Sequence, residues 1–170
     1  MWKKSPDLLK KRLNAREKQG EQRKVVAGSA LIFIAGFVVA GLDFRFGWSR
    51  LPMWMVAAAS VAFLCAYAMY AEVLRENAYL SRTVEVQENQ KVIDTGLYGK
   101  VRHPMYSAVT LLFLSMPLVL GSFWAFLIFL PFPALLVKRI RNEEAVLLEG
   151  LQGYGDYMKK VRWRLIPYIW

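Results

Sequence analysis

The sequence predicts an all-α integral membrane protein with about four transmembrane helices, a C-terminal helical hairpin and a cytoplasmic connector. Three observations support this fold class. The 170-residue chain is 56% hydrophobic, with a mean hydropathy of +0.26, and its apolar residues are gathered into long runs. Basic residues flank these runs. Only Gly121 and Ser122 separate the last two runs, which predicts a tight turn between helices.

The first half of the chain predicts two membrane-spanning helices within residues 25–73. The run 25–42 carries no charge, and the run 53–73 carries one charge near its end. Each has close to the roughly 20 residues that a helix needs to cross a bilayer. Small residues around Ala40 also suit a cleaved signal peptide, but the long basic leader and the later spans favour an uncleaved helix.

The runs 104–120 and 123–137 predict the hairpin. Both are short for a membrane span, and we expect the second helix to continue through the charged stretch that follows it. Pro117, Pro131 and Pro133 predict kinks or local unwinding, because proline lacks a backbone donor. Such breaks either line a cavity or are simply tolerated within a membrane.

The basic residues predict the orientation in the membrane. Of the 23 Lys and Arg residues, nine lie in residues 1–24, five in the connector 74–103 and seven after residue 137. The positive-inside rule then places both termini and the connector in the cytoplasm. Residues 1–24 predict a basic cytoplasmic helix, either amphipathic on the membrane surface or solvated. The net charge is +10, and the basic residues that produce it flank apolar runs. We therefore expect membrane lipids as partners and no nucleic acid.

The connector 74–103 is the segment in which we expect a functional site. It is longer than a link between two helices needs to be, and long loops are usually functional or disordered. RTVEVQ (82–87) alternates like a short strand, and DTG (94–96) predicts a turn. These signals favour an ordered connector.

The only histidine, His103, stands where the connector meets the third apolar run. Pro104 suits the first position of a helix, so His103 lies at or beside its N-cap. The free N–H groups of Met105 and Tyr106 then point out of the positive end of the helix, where carboxylate or phosphate binds. An ordinary capping histidine is the alternative. One histidine and one cysteine on different segments do not make a metal site.

A second polar cluster, RIRNEE (139–144), follows the fourth run. Arg139 shares a helical face with Glu143, and Arg141 shares another with Glu144. The two glutamates point about 100° apart, so one can face inward while the other faces water or a cation. Two surface ion pairs would also explain this pattern.

Together these stretches resemble a known family. TGLYGKVRHPMY (95–106), an apolar hairpin, RIRNEE (139–144) and YGDYMKKVRWRLIP (154–167) are similar to the isoprenylcysteine carboxyl methyltransferase family, which is related to the phospholipid N-methyltransferases. The resemblance covers residues 75–167 clearly and the first two spans more weakly.

The resemblance implies an S-adenosyl-L-methionine-dependent methyltransferase with a cofactor-binding connector and a lipophilic acceptor that enters from the bilayer. Residues 74–170 would form its catalytic region, with Arg139 contacting the acceptor and Glu144 beside it in the same motif. The implied cofactor-binding residues are Gln87, Gln90, Lys91, Val92, Ile93, Tyr98, His103, Pro104, Met105, Tyr106 and Glu143.

The chain departs from the family pattern at three positions. Leu97 and Ala108 stand where the family often has proline and glycine, and Gln90 stands where it has histidine. These differences bear on the fine shape of the cofactor pocket. Many relatives also carry N-terminal spans that this sequence lacks, which bears on acceptor specificity.

The chemistry of the acceptor leaves several functions open. S-adenosylmethionine has a net charge of about +1, which Glu143 and Glu144 can balance locally. Arg139 favours a carboxylate acceptor, which needs no general base. A phospholipid or amine acceptor would need one, and Glu144 or His103 would be the candidates. The alternatives of other classes are an NADPH-dependent membrane reductase of the sterol-reductase type and a non-catalytic membrane scaffold.

Overall fold

The computed structural model describes residues 20–80 and 84–170, with side chains from Lys24 onwards. Every regular element in these ranges is helical, which confirms the all-α class. The predicted basic helix 1–24 lies almost entirely outside the described residues. The elements are α1 (Gly20–Phe46), α2 (Met53–Glu76), a 3-10 turn (Gly96–Gly99), α3 (Pro104–Val119), α4 (Phe123–Phe129), α5 (Phe132–Gly150) and α6 (Tyr154–Lys160).

The strand predicted within residues 82–87 is wrong for its described part, residues 84–87. Within residues 20–80 and 84–170 no segment forms a strand ladder with it, so it has no regular secondary structure. Its alternating apolar side chains serve a different purpose, because Val86 packs on a cluster formed by α6 and its flanking residues.

The chain is an integral membrane protein. Three stretches are long and apolar enough to cross a bilayer, namely Lys24–Phe46, Met53–Glu76 and Phe123–Gly150, and Pro104–Val119 is a shorter apolar helix. Its 16 residues extend about 24 Å, less than the roughly 30 Å of a hydrocarbon core. Which ends of these helices face the cytoplasm stays a prediction.

The hairpin forms as predicted. Gly121 turns the chain with a φ of +77°, a conformation that glycine adopts without a Cβ clash. Ser122 caps α4 by accepting a hydrogen bond from the Ala125 amide at 3.1 Å. Pro131 lies in the short gap between α4 and α5, where the predicted break occurs, whereas Pro117 stays inside α3.

A buried carboxylate joins the end of α1 to the start of α4. Asp43, which is 2% exposed, accepts hydrogen bonds from the hydroxyls of Ser49 and Ser122 and from the Ser49 amide. A buried charge is tolerated only when it is hydrogen-bonded in this way. Because Ser122 also caps α4, the cluster fixes the hairpin turn against the loop that follows α1.

Gly36 allows α1 to approach α4 closely. A Cβ at this position would lie 2.2 Å from the Phe129 ring. We expect Gly36→Leu to lower the free energy of unfolding by about 1–3 kcal/mol, because overpacking forces side chains off their rotamers. Thermal unfolding in detergent measures this. Gly41→Leu, on the same helix beside open space, is the control, and an equal loss in both variants would contradict the prediction.

The C-terminal segment folds back on the start of α3 and positions the site. The Arg102 amide donates to the Trp163 carbonyl at 2.8 Å, and the His103 amide donates to the Arg164 carbonyl at 2.9 Å. Beneath this contact, a core cluster joins α3, α5 and the C-terminal segment through Tyr106, Phe132, Leu136, Ile140 and Leu165.

Candidate active site

A pocket lies between the connector, the start of α3, the second half of α5 and α6. Its walls enclose about 800 Å³ of space, the open mouth included. Two remote stretches of sequence, one on each side of the hairpin, therefore meet at one site. The predicted residues that line it are Gln90, Lys91, Val92, Ile93, Tyr98, His103, Met105, Tyr106, Arg139 and Glu143.

Three of the predicted site residues lie behind the lining. Pro104 is buried at the first turn of α3. Gln87 is buried in the connector, where its side-chain amide donates to the Tyr79 carbonyl and its own backbone amide donates to Gln90 Oε1 at 2.8 Å. Glu144 is buried between α5 and the C-terminal segment.

His103 is the N-cap of α3, as the sequence predicts, and Pro104 follows it inside the first turn. The imidazole does not cap the helix. It lies between the two glutamates, with Nε2 3.2 Å from Glu144 Oε1 and Nδ1 4.0 Å from Glu143 Oε1. The first N–H groups of α3 have no intrahelical acceptor and sit at the positive end of the helix dipole.

Glu144 is the centre of a buried ion-pair network. Its carboxylate accepts from Arg102 Nε at 2.7 Å and from Arg164 Nε at 2.8 Å. Arg102 is buried equally deeply and also donates to the carbonyls of Val161 and Arg162, at 2.9 Å each. This network fastens the C-terminal segment to the wall of the pocket.

The alternative of a surface ion pair does not describe Glu144, because its carboxylate is buried and is paired with Arg102 and Arg164. Arg141, three residues earlier on α5, is exposed. Helical spacing places Arg141 near Glu144, but the tertiary fold places Arg102 and Arg164 within hydrogen-bond distance of its carboxylate. A buried carboxylate is stabilised only when charged partners replace the water it has lost.

Arg139, Tyr106 and Glu143 form a chain of hydrogen bonds along the pocket. Arg139 Nε donates to the Tyr106 hydroxyl at 2.8 Å, and this hydroxyl donates to Glu143 Oε2 at 2.6 Å. Tyr106 therefore fixes a cation and a carboxylate relative to each other. The Glu143 side chain remains 25% exposed, so its charge is accessible from the pocket.

Tyrosines and glycines shape the connector side of the pocket. The Tyr98 hydroxyl accepts from Asn77 Nδ2 at 2.9 Å, and its carbonyl accepts from the Tyr157 hydroxyl at 2.8 Å. Burial raises the pKa of Tyr157, which keeps this donor protonated. Gly96 has a φ of +49°, and a Cβ there would collide with the Glu76 carboxylate.

Sequence reasoning missed several residues of the lining. Tyr154, Tyr157, Leu147 and Leu151 contribute the wall formed by α5 and α6. The stretch YGDYMKK is part of the resemblance, yet nothing in its spacing indicates which tyrosines face the pocket. Within residues 20–80 and 84–170, no group of His, Cys, Asp or Glu could hold a metal ion.

Comparison with known families matches residues 53–153 to the phospholipid methyltransferase family. The chain belongs to this family. The match includes α2, the connector, the hairpin and the glutamates of α5, and therefore both sides of the pocket. The family resemblance seen in the sequence is thereby confirmed.

Two known proteins are similar to this phospholipid methyltransferase family member. Its fold is similar to the eukaryotic intramembrane Ras methyltransferase ICMT, with a TM-score of 0.67 and 19% identity over 83% of this chain and 52% of that chain. It is 32% identical over 91 residues to a Delta(14)-sterol reductase of Mus musculus, a match that covers 52% of this chain and 22% of the reductase. The chain thus spans about half of the first protein and about a fifth of the second. The likeness to ICMT supports the fold.

Proposed function

We propose that the chain is a membrane-embedded methyltransferase that uses S-adenosylmethionine and methylates the carboxylate of a lipophilic acceptor. The observation that carries the proposal is the meeting of His103 and Glu143, from remote segments, across one pocket beside Arg139. Family membership and the likeness to ICMT support the reaction type. Residues 74–170 are the proposed catalytic region, with the pocket on the cytoplasmic side.

The donor set fits this cofactor. Glu143 offers an accessible carboxylate to its ammonium and sulfonium groups. The first turn of α3, at Met105 and Tyr106, offers N–H donors at a positive helix end to its carboxylate. Val92 and Leu147 line the pocket with apolar surface suited to a nucleoside. One buried hydroxyl of the lining, on Tyr154, has no partner among the described residues.

Bound there, S-adenosylmethionine would supply an electrophilic methyl group. Arg139 would orient the acceptor carboxylate with its planar fork of donors, and Tyr106 would hold that fork in place. Most of the rate enhancement would come from this alignment. Two reactants held in line have already lost the translational and rotational entropy that their encounter in solution would cost. The exposed apolar surfaces of the helices suit contact with lipid, from which a lipophilic acceptor would reach the site.

Glu144 acts as a positioning residue in this scheme. Its carboxylate is committed to Arg102, His103 and Arg164, so proton acceptance would break a buried network. A carboxylate acceptor needs no base, which agrees with this arrangement. An amine acceptor would need one, and His103 is then the group on the pocket wall.

Titration of the purified protein with S-adenosylmethionine tests the cofactor assignment. We expect binding, and we expect Glu143→Gln to weaken it about 10- to 100-fold, because a hydrogen bond to a charged group is worth about 1.5–3 kcal/mol. Glu149→Gln, exposed on the same helix, should bind like the unmodified protein. A protein that binds NADPH but does not bind S-adenosylmethionine would favour the reductase alternative. A folded sample that binds neither would remove the proposal.

A further inference from the structure

We propose that the Tyr154 hydroxyl donates a hydrogen bond to the nucleoside part of the cofactor; this inference rests on the proposed function. Tyr154 begins α6 and lines the pocket. Its side chain is 4% exposed, and its hydroxyl has no hydrogen-bond partner within residues 20–80 and 84–170. Nothing in the sequence distinguishes it from its neighbours.

An unpaired hydroxyl in this position indicates a partner that residues 20–80 and 84–170 do not supply. Burying a hydroxyl without a hydrogen bond costs about 1–3 kcal/mol, and folded proteins pair nearly all such groups. Tyr157, three residues further along the same short helix, shows the ordinary outcome, because its hydroxyl donates to the Tyr98 carbonyl at 2.8 Å. The fold thus gives the Tyr157 hydroxyl a partner and leaves the buried Tyr154 hydroxyl without one among the described residues, on a side chain that lines the ligand pocket.

The surroundings of Tyr154 indicate which part of the ligand it meets. It packs with Leu151, Tyr157 and Val161, and Val92 and Leu147 lie alongside. This wall is apolar and suits a flat, uncharged ring with polar atoms at its edge. The charged end of the ligand is better matched by Glu143 and the start of α3. Burial and the negative charges of the nearby Glu144 and Glu143 raise the pKa of Tyr154, so the hydroxyl keeps its proton and can donate.

The test compares Tyr154→Phe with the unmodified protein in two states. Without ligand, we expect an unchanged or higher Tm, because the variant loses only an unpaired hydroxyl. With ligand, we expect the dissociation constants of S-adenosylhomocysteine and of 5′-methylthioadenosine to rise by the same factor, about 3- to 10-fold. The second probe lacks the amino-acid end, so equal losses assign the contact to the nucleoside. Calorimetry and the ligand-induced shift in Tm provide the readouts.

Two controls bracket the result. Thr110→Val removes another buried hydroxyl without a partner among the described residues, on α3 and away from the pocket lining. We expect it to leave both dissociation constants unchanged. Tyr157→Phe removes a hydroxyl that has a partner, and we expect it to lower the Tm of the ligand-free protein.

Each other outcome overturns the assignment in a distinguishable way. A lower Tm for ligand-free Tyr154→Phe would show that the hydroxyl already has a partner in the protein. Unchanged affinity in Tyr154→Phe, beside weakened affinity in Glu143→Gln, would overturn this inference and leave the proposed function standing. A loss confined to S-adenosylhomocysteine would move the contact to the amino-acid end. Failure of the unmodified protein to bind either probe would overturn both proposals.

Discussion

Replacement of Glu144 by alanine is expected to lower the free energy of unfolding by about 3–5 kcal/mol, because it leaves a buried guanidinium without its counter-charge. Arg102 and Glu144 are each only 5% exposed in their side chains and are joined at 2.7 Å. The loss would also remove the acceptor of Arg164, which helps to anchor the C-terminal segment beside the start of α3.

Thermal unfolding in detergent, followed by the fluorescence of the six tryptophans, measures the effect. Glu144→Gln should also be destabilised, since an amide keeps the shape of the side chain but not its charge. Glu149→Ala, exposed on the same helix, is the matched control. A Tm for Glu144→Ala no lower than that of Glu149→Ala would show that the network contributes little to stability.

Replacement of Arg139 by lysine is expected to reduce the rate of methyl transfer about 100-fold, the effect of a misaligned reactant. Lysine keeps the positive charge but presents a flexible point charge in place of a planar fork. In Arg139, Nε is already engaged by the Tyr106 hydroxyl at 2.8 Å, which fixes the plane of the guanidinium. A lysine ammonium cannot hold Tyr106 and orient a carboxylate with the same rigidity.

Transfer of a labelled methyl group from S-adenosylmethionine to a lipid extract measures this rate. Cofactor affinity should stay within a few-fold of that of the unmodified protein, which separates acceptor alignment from cofactor binding. Arg141→Lys, exposed on the same helix, should transfer at the original rate. Full activity in Arg139→Lys would remove the proposed role of this residue and, with it, the argument for a carboxylate acceptor.

The sequence predicts the positions of the helices well where hydropathy determines their ends, and less well where polar contacts determine them. The first apolar run ends at residue 42, yet α1 continues to Phe46. Asp43 stops the run, but its charge is satisfied by Ser49 and Ser122, which is a contact between remote segments. α2 likewise extends to Glu76, beyond the apolar run, because a helix leaving the bilayer needs no apolar side chains.

The candidate site shows the same division. The position of His103 at the N-cap follows from Pro104 beside it, a local rule that the structure confirms. The partners of Glu144 do not follow from local spacing, because Arg102 lies 42 residues away along the chain and Arg164 lies 20. That the buried Tyr154 hydroxyl has no partner among the described residues follows only from the three-dimensional structure, since it depends on the contacts that every neighbouring group makes.

The most direct test of the central claim is to locate the cofactor by ultraviolet cross-linking of tritium-labelled S-adenosylmethionine to the purified protein, followed by peptide mapping. We expect label in peptides from residues 84–106 or 139–157, removed by an excess of S-adenosylhomocysteine. Competed label confined to α1 or α2 would place the cofactor elsewhere and contradict a pocket built from the start of α3 and the glutamates of α5.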